Sequence, residues 1–407
     1  MTAPARSSAR ALEGLRVVEI AGPFGAYSGK LFRDLGAEVV LVEPPGGAPG
    51  RHAPPLARTG LGLRFAYDNA GKRSIVLDLD ADADRAVFRG LVGEADLLLE
   101  SEAPGALAAL GLSYSDLSAI RPSLVMTSIT GFGQTGPCAD WQSDDLIAFA
   151  MSGMMSLAGY ADSTPLAASG DLAEIGAHAF AASASLAAVF AAEITGRGEH
   201  IDVSLQECLV MGLENAAQFV DLEDVVRRRH GGEQPRAGTG AFPCRDGHVY
   251  LMSAGVGASR FWGHTLDWLA GAGVDVSALS GPEWKQDAFL ATPGAKETFE
   301  TVFNAFAAPR TRAELCAAGQ AHRVPIAPVR SPAEVIDDPQ LAYRDFFQPL
   351  PEGLGSDVRA MPGAPYRLSA TPWSAADRVP GLDEDGDAIR ARMGVAETAG
   401  RAAGGVR

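Results

Sequence analysis

The sequence predicts an open, doubly wound α/β sheet across its first half. Three observations carry that reading. The run Arg16–Ile20 (RVVEI) and the run AEVVLVE ending at Glu43 flank the glycine-punctuated stretch GPFGAYSGKLFRDLG. Strand, helix and strand in so short a segment form a βαβ unit, which requires a parallel pair. The alternation then continues, with SIVLDLD (74–80), DLLLE (96–100) and LVMTSIT (124–130) as further strands between helical segments. The loop GFGQTGP (131–137) follows the last of these strands, where ligands of open α/β sheets bind.

The later elements follow the same logic. DADRAVFRGLVGEA reads as an amphipathic helix, a further helix runs through LIAFAMSGMMSL, and a long helix opens at Asp171. Its core, Ile175 to Ala192, carries no formal charge and approaches membrane-spanning length. It is mostly alanine, holds His178, Ser183 and Ser185, and lies between Glu174 and Glu193, so it reads as a buried packing helix. The charged, glycine-rich segment 223–240 reads as a linker. HVYLMSA (248–254) begins a smaller region of mixed strand and helix signals containing Trp262, Trp268 and Trp284. Residues 324–349 combine an apolar strand, a capped helix start and a proline break, and the tail beyond Val395 is expected to fray.

Length and composition bound the function. The chain has 407 residues, room for roughly two to three domains. Its 34 Lys and Arg against 50 Asp and Glu give a net charge of −16, with no basic run interleaved with aromatics, so nucleic acid is not an expected partner. An anionic substrate then needs a local cationic pocket. The four cysteines lie far apart without C-x-x-C spacing, which suits a reducing cytoplasm and no disulfide framework. The start MTAPARSSARALEG lacks an apolar run, so neither a signal peptide nor a membrane partner is expected. The seven histidines show no H-E-x-x-H or i, i+4 pair, and no metal site is expected. His178 reads as a satisfied core residue.

Several positions have chemistry to offer. Gly22, Gly25 and Gly29 do not follow G-x-G-x-x-G, which argues against a dinucleotide fold and for close helix–strand packing. The loop from Asn69 through Gly71 and Lys72 to Arg73 reads equally as a phosphate clamp or a solvated basic turn, and Arg51 after PPGGAPG shares that ambiguity. Gly131 and Gly133 allow backbone approach to a ligand, though a tight turn uses the same residues. Gly255 and Gly257, in AGVGAS, read as an active-site cover or a surface turn. Asp171 with Glu174 three residues on resembles a capping box, and a plain N-cap accounts for it. The functional reading is a nucleophile, since a carboxylate at a helix N-terminus is ionised and the nearby N–H groups stabilise an oxyanion. Asp144 and Asp145 begin the preceding helix; helix-start charge or an acid–base group both fit.

The chain resembles the family III CoA-transferases, the carnitine and formyl-CoA transferase group, from about Leu12 to about Gln348. LFRDLGAEVVLVEPPGG, GKRSIVLDLD, SITGFGQTGP, DLIAFAMSGMMSLAG, GDLAEIGAHA, TGRGEHIDVSL and SPAEVIDDPQLAYRDFF carry the resemblance in the family's order. It implies a Rossmann-like large domain built from both chain ends, spanning 1–222 and 324–407, with a linker at 223–240 and a smaller α+β domain at 241–323. It also implies an interlocked-ring homodimer and no permanently bound cofactor. CoA and acyl-CoA would enter as substrates, with a carboxylic acid as acceptor.

The same resemblance makes Asp171 the catalytic nucleophile. It places CoA against Arg51, Asn69, Gly71, Lys72 and Ser101, and puts Asp145, Gly131, Gly133, Gly255 and Gly257 near the substrate. Where many members read E-N-F-x-P-G and then an arginine, this chain reads Glu100-Ser101-Glu102-Ala103-Pro104-Gly105, with Ala109 at the arginine's place. That loses a cation and adds an anion, which implies a different grip on CoA. Two rivals remain open. An α-methylacyl-CoA racemase would need a histidine where Asp144 stands. A catalytically silent acyl-CoA-binding paralogue is opposed by the intact GDLAEI.

Overall fold

Six short strands rich in Val, Leu and Ile form one parallel sheet in the order β3-β2-β1-β4-β5-β6 in the computed structural model, which describes residues 10–229, 231, 234–254, 261–352, 354–355 and 358–394. The strands are β1 (Arg16–Ile20), β2 (Glu38–Glu43), β3 (Arg73–Val76), β4 (Leu97–Glu100), β5 (Val125–Thr130) and β6 (His200–Ser204). Between them run α1 (Tyr27–Asp34), α2 (Leu63–Asn69), α3 (Asp82–Glu94), α4 (Ala106–Ala109) and α5 (Tyr114–Ile120). Between β5 and β6 lie α6 (Asp145–Met151), α7 (Met154–Leu157) and α8 (Leu172–Thr195).

Residue alternation along each strand divides the core between the two faces of the sheet. Val18, Val40, Ile75 and Leu98 face α3, with Val87, Phe88 and Leu91 among the buried partners. Val17, Val39, Leu97 and Val125 face the other way, against Phe32 of α1 and Ala188, Val189 and Ala192 of α8. Strand order reverses between β1 and β4, so a crevice opens beyond their carboxyl ends. The sheet edge at β3 is closed by late residues. Asp385 accepts from the Ser74 N–H at 3.1 Å and Asp383 from the Val76 N–H at 2.7 Å, which removes two free edge donors.

The chain divides into two compact units. One is drawn from Met1–Met155, Ala167–Val226 and Ala342–Arg407, the other from Ser156–Leu166 and Arg227–Leu341. In the second, β7 (Thr239–Cys244), β8 (Gly247–Met252) and β9 (Ile326–Pro328) make an antiparallel sheet over a buried aromatic cluster. Phe242, Trp262, Trp284, Phe299 and Phe303 stack or meet edge to face within it.

Several boundaries differ from the sequence expectation. β7 begins inside the segment read as a linker, and pairing of β9 with β8 carries the second unit past residue 323 to Leu341. The helix expected through LIAFAMSGMMSL breaks at Ser152–Gly153, where Gly153 has φ +85° and separates α6 from α7. β6 carries no strand signal in the sequence, because its alternation of His200, Ile201, Asp202 and Val203 is too short to stand out. α8 is long and apolar enough to cross a membrane by length and composition. It buries one face, through Ala173, Ala177, Ala181, Ser185, Ala188 and Ala192, while Phe180, Phe190 and Ile194 on the other stay exposed within the single chain.

Candidate active site

The N-terminus of α8 needs acceptors for its first N–H groups, and two carboxylates compete for that place. Asp171 stands at the N-cap position with φ −86° and ψ 58°, and its carbonyl accepts the first helical bond from the Ile175 N–H at 2.9 Å. Its side chain accepts no cap bond. Asp145, the first residue of α6, does so in its stead: its Oδ1 accepts from the N–H groups of Ala173 at 2.7 Å and Glu174 at 3.3 Å. The expected Asp171–Glu174 capping box is therefore absent, and the Asp171 carboxylate is released from helix duty. The neighbouring Asp144 caps its own helix, accepting from the Ile147 N–H at 2.8 Å.

The freed carboxylate meets a cation that the sequence reading passed over. Arg64, on the first turn of α2, donates from Nη1 to Asp171 Oδ2. Its Nε donates to Asp68 Oδ2 at 2.6 Å, and Nη2 lies 3.6 Å from Glu174 Oε2. The i, i+4 spacing of Arg64 and Asp68 was the available signal, but it fits an ordinary helix pair equally well. Burial works against the Arg64 charge, yet Asp68, Glu174 and Asp171 outweigh it and hold it firmly protonated. Glu174 is pushed up to about 7, first by burial, against the pull of Arg64 and with the push of Asp171, Asp145 and Asp68. Burial likewise raises Asp145, opposed by its two backbone donors.

The loop after β1 ties this charge cluster to the crevice. His178, on the second turn of α8, accepts from the Ser28 N–H through Nδ1 at 3.2 Å, which leaves Nε2 to donate to the Phe24 carbonyl at 2.8 Å. Burial pushes it down to about 4, so it is a neutral, satisfied core residue. Gly25 has φ +80°, a conformation other residues rarely adopt, and a Cβ there would press on Arg64 Nη2 at 3.0 Å and Asp68 at 3.2 Å. Next along this loop, Pro23 and Phe24 line a cleft of about 500 Å³ beyond the ends of β1, β4 and β5. Ser101, Glu102, Pro104, Thr130, Gly131 and Ser143 form its other walls.

Two of the expected substrate-side positions lie here in different senses. Gly131 lines the cleft, and a Cβ on it would strike Ser143 Cβ at 2.3 Å, so the bare backbone brings the start of α6 in close. Gly133 has φ +89° and donates to Thr130 Oγ1 at 2.9 Å, a tight turn. Gly255 and Gly257 lie outside the described residues. Ser101 is 4% exposed and, among the described residues, its Oγ has no hydrogen-bond partner, an open polar valence at the crevice. Beside it Glu100 is pushed up to about 7 by burial, against hydrogen bonds from Ser128 and the Glu102 N–H.

The basic residues expected to grip CoA are held in buried ion pairs and hydrogen bonds. Arg51 is buried and forked onto Glu43, with Nε and Nη2 each 2.6 Å from a carboxylate oxygen and Nη1 3.1 Å from the Pro380 carbonyl. Lys72 is fully buried and donates to Glu19, to the Ala26 carbonyl at 2.8 Å and to Asn69 Oδ1 at 2.9 Å. Asn69 donates in turn to the Phe65 carbonyl at 3.1 Å, and Gly71 turns the chain at φ +76° against Arg33. This segment is neither a solvated turn nor an open phosphate clamp. Among the described residues there is no group of three or more His, Cys, Asp or Glu arranged to hold a metal ion.

Comparison with known proteins adds an independent line. A family model described as CoA-transferase family III matches residues 12–386. A succinyl-CoA:(R)-benzylsuccinate CoA-transferase subunit of Thauera aromatica is 39% identical over 376 residues, covering 91% of each chain. A succinate–glutarate CoA-transferase of Agrobacterium fabrum is 32% identical, covering 89% of this chain and 90% of its own. The crystal structure of a CAIB/BAIF family protein from Brucella suis superposes with a TM-score of 0.82 at 31% identity, over 94% of this chain and 99% of that one.

Proposed function

The chain belongs to CoA-transferase family III, and from that premise we propose that it moves CoA from an acyl-CoA donor to a carboxylic acid through covalent intermediates on Asp171. One observation carries the proposal: Asp145 takes the N–H groups that Asp171 is placed to cap, so Asp171 presents a half-exposed carboxylate. The Asp171 carboxylate attacks the donor thioester and expels CoA thiolate, giving a mixed anhydride. The thiolate then attacks the aspartyl carbonyl and releases the donor acid, leaving an aspartyl-CoA thioester. The acceptor carboxylate attacks that thioester and expels thiolate again, and the second anhydride passes its acyl group to the thiolate and restores Asp171. A carboxylate suits this sequence because both adducts stay reactive enough to go onward. The crevice must exclude water during it, or the anhydride is hydrolysed.

The cleft supports CoA as the substrate beside this group. Ser101 offers an unpartnered hydroxyl there, and Glu102 supplies an anion where many members carry none, so contacts to polar CoA atoms serve better than a phosphate clamp. Succinyl-CoA heads the list of donors to test, since several relatives are named for it. The exposed apolar face of α8 supports a homodimer that covers it, with interlocked chains as in the wider family. The four free cysteines support a reducing, cytoplasmic setting. A second reading, a non-catalytic acyl-CoA-binding subunit, draws on the Thauera relative, whose name makes it a subunit.

The test is intact-protein mass spectrometry after incubation with succinyl-, acetyl-, formyl-, propionyl- and aryl-CoA, with and without hydroxylamine or borohydride. A trapped adduct on Asp171 that is absent from Asp171→Ala is expected. Acyl-CoA binding with no adduct from any donor would favour the non-catalytic reading.

A further inference from the structure

We propose that Arg64 is a catalytic residue of this transfer, and that by pinning Asp171 Oδ2 it assigns the two carboxylate oxygens different tasks. The inference rests on Asp171 being the nucleophile. The Arg64 guanidinium is held from behind: Asp68, with a side chain 2% exposed, takes Nε at 2.6 Å. Gly25 lies against Nη2, which is buried and has no hydrogen-bond partner among the described residues, with Glu174 facing it at 3.6 Å. Only Nη1 reaches forward, to Asp171 Oδ2. A donor so fixed needs no rearrangement when charge moves, which is the condition under which electrostatic stabilisation is strong.

Charge bookkeeping then gives Arg64 its role. Oδ1, free of the guanidinium, is the oxygen that attacks the donor thioester; the C–S bond breaks and its electron pair leaves with the thiolate. Oδ2 remains as the aspartyl carbonyl oxygen of the anhydride. When the thiolate adds to this carbonyl carbon, the C–O π pair moves onto Oδ2 beside Nη1. Collapse breaks the bond from Cγ to Oδ1, and Oδ1 departs with the donor acid. The acceptor carboxylate next adds to the thioester carbonyl, charge again gathers on Oδ2, and thiolate leaves. An oxygen from the acceptor therefore enters Asp171 at each turnover, while Oδ2 stays.

Both consequences are measurable on the full-length protein with the donor and acceptor found active, the acceptor carrying heavy oxygen in its carboxylate. After several turnovers, the Asp171 peptide of the unsubstituted protein should carry one heavy oxygen and not two. R64Q should lower kcat about a hundredfold to a thousandfold, the cost of one preorganised oxyanion donor. KM for the acyl-CoA should change little, and the second heavy oxygen should now appear. R64K, which keeps the charge without the planar fork, should lie between them. Two heavy oxygens in the unsubstituted protein, R64Q within threefold of it, or a loss confined to KM would each overturn the role. So would failure of both variants to fold, which would make Arg64 structural. No label at all, together with no aspartyl adduct, would instead sink the covalent reading on which this rests.

Discussion

Three of the ion pairs in the unit built on the parallel sheet invite comparison, because they sit in different surroundings. Lys72–Glu19 and Arg51–Glu43 are sealed, with side chains 0% and 4% and 7% and 0% exposed respectively. Arg64–Asp171 is open, at 25% and 52%. A buried pair is fixed by the cost of leaving either partner alone, so it serves the fold. The open pair leaves the Asp171 carboxylate within reach of a substrate, because one side of it faces solvent. Residue type therefore says little here about which cation can meet a ligand; burial and the number of competing acceptors say more.

The sharpest way to break the comparison is at the sealed pair. Lys72→Met should leave the Glu19 carboxylate buried and unpaired, and cost about 3–5 kcal/mol in urea unfolding. It should leave acyl-CoA affinity of the folded fraction nearly unchanged. A large loss of affinity with intact stability would return Lys72 to the substrate site.

The capping swap is tested at Asp145. Asp145→Ala should cost about 1 kcal/mol of stability, the usual value of a helix cap. With the N–H groups of α8 vacant, the Asp171 carboxylate should turn toward them, and turnover should fall up to about a hundredfold from misplacement alone. An activity loss no larger than the stability loss would deny that Asp145 positions Asp171.

The smallest effect is a pH dependence. Glu174 has its pKa raised from 4.5 to about 7, so its neutral form is favoured in the folded state. Its contribution to stability is fully present below 4.5 and is lost as pH rises through about 7. Glu100 titrates in the same window, so Glu174→Gln should flatten only part of the decline. Thermal unfolding from pH 4.5 to 8 reads this directly, and an unchanged slope in Glu174→Gln would remove Glu174 from the charge cluster.

Much of the fold was legible without coordinates. Arg16–Ile20 and the run ending at Glu43 are strands where period and β-branching put them, because a strand buried on both faces writes a continuous apolar run. β6 and β7 escaped, the first for brevity and the second because TGAFPC carries glycine and proline signals normally read as a loop. Asp171 was legible as the first residue before α8, and its role as a nucleophile is what the resemblance implies. Arg64 was not, since an arginine four residues before an aspartate on a helix is commonplace.

What the sequence alone determined is the alternation of strands and helices and the position of Asp171 at a helix start, since both depend on residues near in the chain. What only the tertiary structure decided is the division of labour among charges. Asp145 reaches α8 across 28 residues, Arg64 reaches Asp171 across 107, and Lys72 reaches Glu19 across 53. Local periodicity carries no trace of such contacts. They arise when strand order brings distant loops to one end of the sheet, and burial then decides which carboxylate is taken by backbone donors and which is left half-exposed.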